Sequence, residues 1–337
     1  MFARIFLGLT FGVLAATPIA AGTLADVRAT GTLRCGVNTA VEDYSKFETH
    51  GDLSALGRDL CRAVAAAVLG DPDKAILVPL PDDPHSLAAV RAGQVALLAG
   101  ATPDLTSQDA FGLGFGPPVF FDGQGFLVHR QTGPRSIAGL RDQQVCFITE
   151  TQAEEDLNDR LALRDVRFIP FAFEETGEME AALVTGHCAA IAGPVSQLAS
   201  MRSGFHARTA QYDILPETIT LQPFAPAFRA DDPQWGAIVA WTVNALILAE
   251  EADVSGSGAA ALRDSGRPEV RYLLGGTPGV GKALGLDDAW ALRVVSAVGN
   301  YGEVYERDLG GGSPMRLPRG RNALWTQGGM IYAPPIR

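Results

Sequence analysis

The chain has 337 residues, with 27 Lys and Arg against 38 Asp and Glu, and a formal net charge of −11. No basic stripe with interleaved aromatics runs through it, so this acidity argues against a nucleic-acid partner. Beyond the first segment, no apolar run approaches the roughly 20 residues of a spanning helix, so no stable membrane insertion of the mature chain is expected.

Residues 1–21 read as a secretory signal peptide. Arg4 supplies the positive end, Ile5 to Ala16 the short apolar core, and Ala20-Ala21-Gly22 the small-residue exit. Cleavage is expected after Ala21, with Gly22 as the alternative, and no Cys follows to hold a lipid anchor. The mature chain loses Arg4, becomes one unit more acidic, and remains long enough for two ordinary domains.

Export gives the four cysteines a meaning. Cys35, Cys61, Cys146 and Cys188 are an even, sparse set in an oxidising compartment, which suggests two disulfides with three possible pairings. Cys35–Cys61 with Cys146–Cys188 is favoured, because each pair closes within one half of the chain. Their wide spacing and the lack of a His cluster argue against a metal site.

In chain order, Gly31 to Asn38 reads as a buried strand. Residues 56–69 follow as a helix with Leu60, Val64 and Val68 at helical spacing. Residues 75–78 form a strand, 84–91 a helix, and 95–99 a strand ending at Gly100. The pattern restarts with a strand at 144–148, a helix at 151–163, a helix at 176–185 and a strand at 189–192. Strands alternating with helices predict parallel-rich sheets in two α/β lobes, with ligands at the strand ends between them.

Residues 123–128 read as one crossing between lobes and residues 220–227 as the return. Two crossings make a hinge, with Gln124, Phe126 and Pro223 as candidate hinge residues. The expected division is a first lobe from 22–126, a second from 127–223, and a return with a C-terminal extension over 224–337. A long apolar-faced helix is expected over residues 235–250.

Gly275 to Lys282 superficially matches a phosphate-binding loop, but Ala283 stands where Ser or Thr is needed and no strand-then-helix context surrounds it. The five histidines are scattered, and neither paired catalytic carboxylates nor a serine elbow can be found. The residues predict no enzyme activity, no cofactor and no metal.

Several stretches together resemble the periplasmic receptor of the general L-amino-acid ABC importer, within the type II solute-binding superfamily. They are residues 60–68, Phe120-Phe121-Asp122-Gly123-Gln124-Gly125-Phe126, Gly299 to Arg307, Asn322 to Gly329 and Tyr332 to Arg337. The resemblance covers nearly the whole mature chain. It implies a periplasmic, two-lobed, noncatalytic receptor that binds a small polar solute or amino-acid-related ligand and docks on an ABC permease. It also implies cysteines at comparable places.

An amino-acid zwitterion needs an Arg fork for its carboxylate and an Asp or Glu for its ammonium. By the resemblance, the Arg follows the third strand of the first lobe, where this chain carries Gln108. The Asp follows the third strand of the second lobe, where Pro194 stands and offers neither charge nor a backbone donor. A Gly-Phe-Asp pattern before the first helix has become Ala55-Leu56-Gly57. A Ser-Gly-Thr-Thr turn has become Thr149-Glu150-Thr151-Gln152.

Ordinary zwitterion recognition is therefore not expected, since an unpaired ionic group is costly to desolvate. The candidate ligand residues are Tyr44, Thr102, Asp104, Gln108, Thr149, Glu150, Thr151 and Ser196. Asp104 or Glu150 suits a cationic ligand, while Thr151 doubles as a helix cap. The function expected is capture of a small polar solute by interlobe closure and delivery to a permease. The alternative is a divergent periplasmic sensory or protein-interaction component.

Overall fold

In the computed structural model, residues 22–38, 53–80 and 83–336 are described. The expected signal peptide and Tyr44 lie outside them. Helix α1 (Thr23–Thr30) leads into β1 (Leu33–Asn38), α2 (Leu53–Leu69), β2 (Ala75–Leu80), α3 (Asp83–Arg91), β3 (Leu97–Ala101), β4 (Leu113–Phe115) and β5 (Phe120–Asp122). The second lobe holds β6 (Gln124–His129), β7 (Gln144–Ile148), α4 (Gln152–Ala162), β8 (Ile169–Phe173), α5 (Thr176–Val184), β9 (Ala190–Pro194), α6 (Val195–Gly204) and β10 (Tyr212–Ile214). The chain returns along β11 (Gln222–Arg229) and adds α7 (Pro233–Glu251), α8 (Ala259–Leu262), α9 (Pro268–Leu273), α10 (Trp290–Val298) and α11 (Tyr301–Asp308).

Two mixed sheets result, ordered β2-β1-β3-β11-β4 with β5 also on β11, and β10-β6-β9-β7-β8. In each, three strands run parallel and the strand arriving from the other lobe inserts antiparallel. This is the two-lobed type II architecture. The third strand runs two residues later than its apolar run suggests. Cys35 pairs with Leu97 and Gly36 with Leu98, so the ladder carries Gly100 and Ala101 into the sheet.

Helix α2 is apolar on nearly every side, and such a helix must be buried. It packs between the first sheet and α10, where Trp290, Ala291 and Val294 are buried with Leu60 and Val64 in one core. Trp235, also fully buried, keeps its indole N–H satisfied by the Ala96 carbonyl at 2.8 Å. The second lobe has smaller cores on the two faces of its sheet, one around Phe126 and Leu157, the other around Leu127 and Met179.

Disulfides join Cys35 to Cys61 and Cys146 to Cys188, each with Cα atoms 5.9 Å apart. The first ties β1 to α2, and the second ties β7 to the residue entering β9. The C-terminal extension closes over the first lobe: a reciprocal cap between Asn300 and Glu303 starts α11, and the Tyr301 hydroxyl donates to the Val119 carbonyl at 2.9 Å.

The glycine-rich run at 275–282 is a self-satisfied loop. The amides of Gly279 and Gly281 both donate to Asp288 Oδ1, at 2.9 and 3.0 Å, so a carboxylate of the chain itself fills the turn. Among the described residues, no helix is long and apolar enough to cross a membrane.

Candidate functional site: the hinge and the facing strand ends

Both crossings are short, and they pair with each other. Asp122 lies opposite Gln222 and Phe121 opposite Pro223 in the β5–β11 ladder. One step further, Gln124 N–H donates to the Thr220 hydroxyl at 2.9 Å, and Ile219 N–H donates to the Gln124 carbonyl at 2.9 Å. Between them, a Cβ on Gly123 would come within 2.4 Å of the Thr220 carbonyl oxygen, so only glycine lets the two crossings approach this closely.

Three polar side chains fasten this hinge. Asp122 accepts from the Gly123 amide (2.8 Å), the Ser196 amide (3.2 Å) and the Ser196 hydroxyl (2.5 Å), which links the first crossing to the start of α6. Burial raises the Asp122 carboxyl above the ordinary range, while these hydrogen bonds pull it back. With its amide oriented to match its neighbours, the buried Gln124 donates to the Gly193 carbonyl (2.8 Å) and accepts from Ala153 N–H (3.1 Å), fixing the end of β9 and the start of α4 against β6. From the C-terminal extension, Asn322 accepts from Phe121 N–H (2.6 Å) and donates to its carbonyl (3.1 Å).

These contacts bring the strand ends of the two lobes to the hinge. In the first lobe, Gly100 near the end of β3 lies so close to Phe224 of β11 that an added Cβ would meet the ring at 1.9 Å. In the second lobe, the end of β9 and the start of α4 are held by Gln124. The segments at 102–108 and 149–151 follow β3 and β7 directly, at the C-terminal strand ends where α/β folds bind ligands.

Thr102, Asp104 and Gln108 are all exposed on the first-lobe loop. Asp104 is engaged locally: its carboxylate accepts from Ser107 N–H at 2.6 Å, and its own amide donates to the Ser107 hydroxyl at 3.0 Å. Thr102 and Gln108 present side chains with no such turn to hold.

On the second lobe, the Thr149 hydroxyl (3.3 Å) and the Glu150 amide (3.0 Å) both donate to Glu154 Oε2, one turn into α4. Thr151 sits at the N-cap position, but its hydroxyl donates back to the Ile148 carbonyl at 2.6 Å and does not cap α4. Ser196 is mostly buried, with its hydroxyl directed to Asp122. The chain switches sheets at Gly123, and Phe126, fully buried opposite Ala192 in the second sheet, belongs to the second lobe's core.

Glu150 has φ +57°. A left-handed backbone costs a non-glycine residue about 1 kcal/mol. Glu150→Gly is expected to raise stability by about 1 kcal/mol, because glycine adopts this geometry without a Cβ clash. Equilibrium urea unfolding checks this; an unchanged or lower midpoint would show that the Glu150 side chain compensates.

Asp122, Glu154, Thr220 and Asn322 also shape the site, through contacts that join separate segments. Asp122 and Asn322 stood within the stretches that carry the family resemblance. For Glu154 a signal existed in its place three residues after Thr151, the spacing of a helix-start carboxylate. Thr220 gave none. Among the described residues, no group of three or more His, Cys, Asp or Glu could hold a metal.

Two α/β lobes with mixed sheets, joined by paired crossings, define the fold of a type II solute-binding protein. The chain is 36% identical over 334 residues to the general L-amino acid-binding periplasmic protein AapJ of Rhizobium johnstonii, covering 98% of this chain and 97% of that one. It is equally 36% identical over 334 residues to the glutamate/glutamine/aspartate/asparagine-binding protein BztA of Rhodobacter capsulatus, covering 98% of each. The chain belongs to this family of periplasmic amino-acid-binding proteins of ABC importers.

Among solved structures, it matches an ABC transporter periplasmic binding protein from Brucella ovis with glutathione bound. That match has a TM-score of 0.78 and 34% identity, over 94% of this chain and all of the other. An ancestral cationic amino-acid solute-binding protein shares the fold at TM-score 0.51 and 21% identity. No protein-family model matches the chain.

Proposed function

We propose that the protein captures a small polar solute by closing its lobes about the Asp122–Ser196 hinge, then delivers it to an ABC permease. Residues 1–21 direct its export, and the mature chain divides into the lobes outlined above. The observation that carries this reading is the pair of hydrogen-bonded crossings flanked by polar loops at opposing strand ends. Such a joint permits rotation while keeping the two loops in register across the cleft.

The ligand set proposed is Tyr44, Thr102, Asp104 and Gln108 from the first lobe and Thr149, Glu150, Thr151 and Ser196 from the second. It offers hydroxyls, one amide and carboxylates, and no guanidinium. This chemistry suits a neutral or cationic amide, amine or small peptide better than a free amino-acid zwitterion. The glutathione held by the Brucella ovis relative supports a ligand larger than a single amino acid.

Ligand-stripped protein is screened by thermal shift and then calorimetry against L-amino acids, amines, amides and small peptides, glutathione included. Saturable one-to-one binding of an amine, amide or peptide, weakened in Gln108→Ala, is the expected result. Tight binding of ordinary L-amino acids alone would overturn the ligand class. No binding across the panel would favour the sensory or protein-interaction reading, to which the Gln108 and Pro194 positions already point.

A further inference from the structure

A cavity of about 510 Å³ opens beside the returning crossing. Arg160 and Arg164 of the second lobe line it, together with Thr218 and Leu221 of the returning crossing and Arg321 and Met330 of the C-terminal extension. Arg160 lies seven residues along from Ala153, the α4 residue fastened to Gln124. At 1.5 Å per residue that is about 10 Å away from the strand-end cleft.

Three guanidiniums meeting at one opening require a reason. Arg160 lies in the last turn of α4 and Arg164 two residues beyond its end, so two cations sit together at this helix terminus. The negative end of a helix dipole accounts for one or two cations there, but not for Arg321, which approaches from the other lobe. Among the described residues no carboxylate lines the cavity, although the chain as a whole carries a net charge of −11. Neighbouring Glu217 is turned away, its carboxylate accepting from Ile137 N–H at 2.8 Å. One guanidinium is positioned: Arg164 Nη2 donates to the Thr218 carbonyl at 3.3 Å.

We propose that this cavity is a binding site for a small multivalent oxyanion, a polycarboxylate or a phosphate, separate from the interlobe ligand site. Its walls connect directly to the hinge. The Thr218 hydroxyl donates to the Thr220 carbonyl (3.0 Å), and the Thr220 hydroxyl receives Gln124 N–H. Arg321 adjoins Asn322, which clamps Phe121. An anion drawing the three guanidiniums together therefore bridges both lobes beside the joint and biases its angle.

The test titrates the purified protein with citrate and with phosphate, against chloride at matched ionic strength, by calorimetry and thermal unfolding. Saturable one-to-one binding with a rise in unfolding temperature is expected. It should weaken about tenfold or more in the Arg160→Gln/Arg164→Gln double variant and, separately, in Arg321→Gln, as loss of charge-assisted hydrogen bonds predicts. The two variants lie in different lobes, so a folding failure of one leaves the other to decide. Binding of citrate alone assigns a carboxylate ligand, and binding of phosphate alone a phosphate ligand. Equal responses to citrate, phosphate and chloride would overturn the proposal. So would binding that survives both variants, or that disappears in Gln108→Ala and thus belongs to the interlobe cleft.

Discussion

Replacing Cys146 and Cys188 together by alanine will destabilise the protein by about 4 kcal/mol, as the entropy of closing a loop of this length requires. The disulfide spans 42 residues and joins β7 to the entry of β9, two adjacent parallel strands of the second sheet. Parallel strands far apart in sequence are costly to bring together, and here the covalent link removes that cost from the unfolded chain. Both sulfurs are buried against Met179, Leu183 and Ile191, so alanine also loses packing. Urea unfolding followed by fluorescence reads the effect; a midpoint within experimental error of the parent would show that the second lobe's packing alone sets the register.

Raising the pH from 5 to 8 will lower stability by about 2 kcal/mol through Asp308, and Asp308→Asn will remove most of that slope. Asp308 is fully buried at the end of α11, and Asp59 of α2 is buried beside it. Arg307 donates to Asp59 through both Nε and Nη2, and its Nε lies 3.5 Å from Asp308 Oδ1. Arg58 and Arg62 each also come within 3.8 Å of Asp59 Oδ1, so the positive charge of this cluster gathers on Asp59 rather than on Asp308. Burial first, and the Asp59 charge second, push the Asp308 carboxyl up to about 7.

The sign follows from proton counting. Between about pH 4 and 7 the folded protein holds a proton on Asp308 that the unfolded chain has lost. That stabilisation is complete below about 4 and is gone above about 7. Asp122 is raised as well and adds in the same direction. Asp231, Asp232, Asp287 and Glu269 are held below their ordinary values, so they add stability as pH rises through the acid range, below this window. Thermal unfolding across pH 5–8 separates the two cases, since a slope unchanged in Asp308→Asn would place the titration elsewhere.

Much of the architecture was legible locally. Helical spacing of Leu60, Val64 and Val68, short apolar runs and the restart near residue 144 predict two α/β lobes, and α2, α7 and β7 lie within a few residues of their expected places. The favoured cysteine pairing is the one the fold contains, because each pair joins segments within a single lobe. Departures at Gln108 and Pro194 were also readable, since a missing charge is a property of the residue itself.

What periodicity could not place are the polar contacts between distant segments. Asp122 meets Ser196 across 74 residues, Phe121 meets Asn322 across 201, and Asp59 meets Arg307 across 248. A hydrophobic repeat encodes which face of an element turns inward, and says nothing about which polar side chain will face it from another lobe. The amino-acid sequence by itself thus determined the lobes and their order, and favoured the cysteine pairing that the fold contains. Only the tertiary structure decided which polar side chains fasten the crossings, which buried carboxyl is pushed up and where three arginines line one cavity, because each depends on burial and proximity that arise once the lobes have packed.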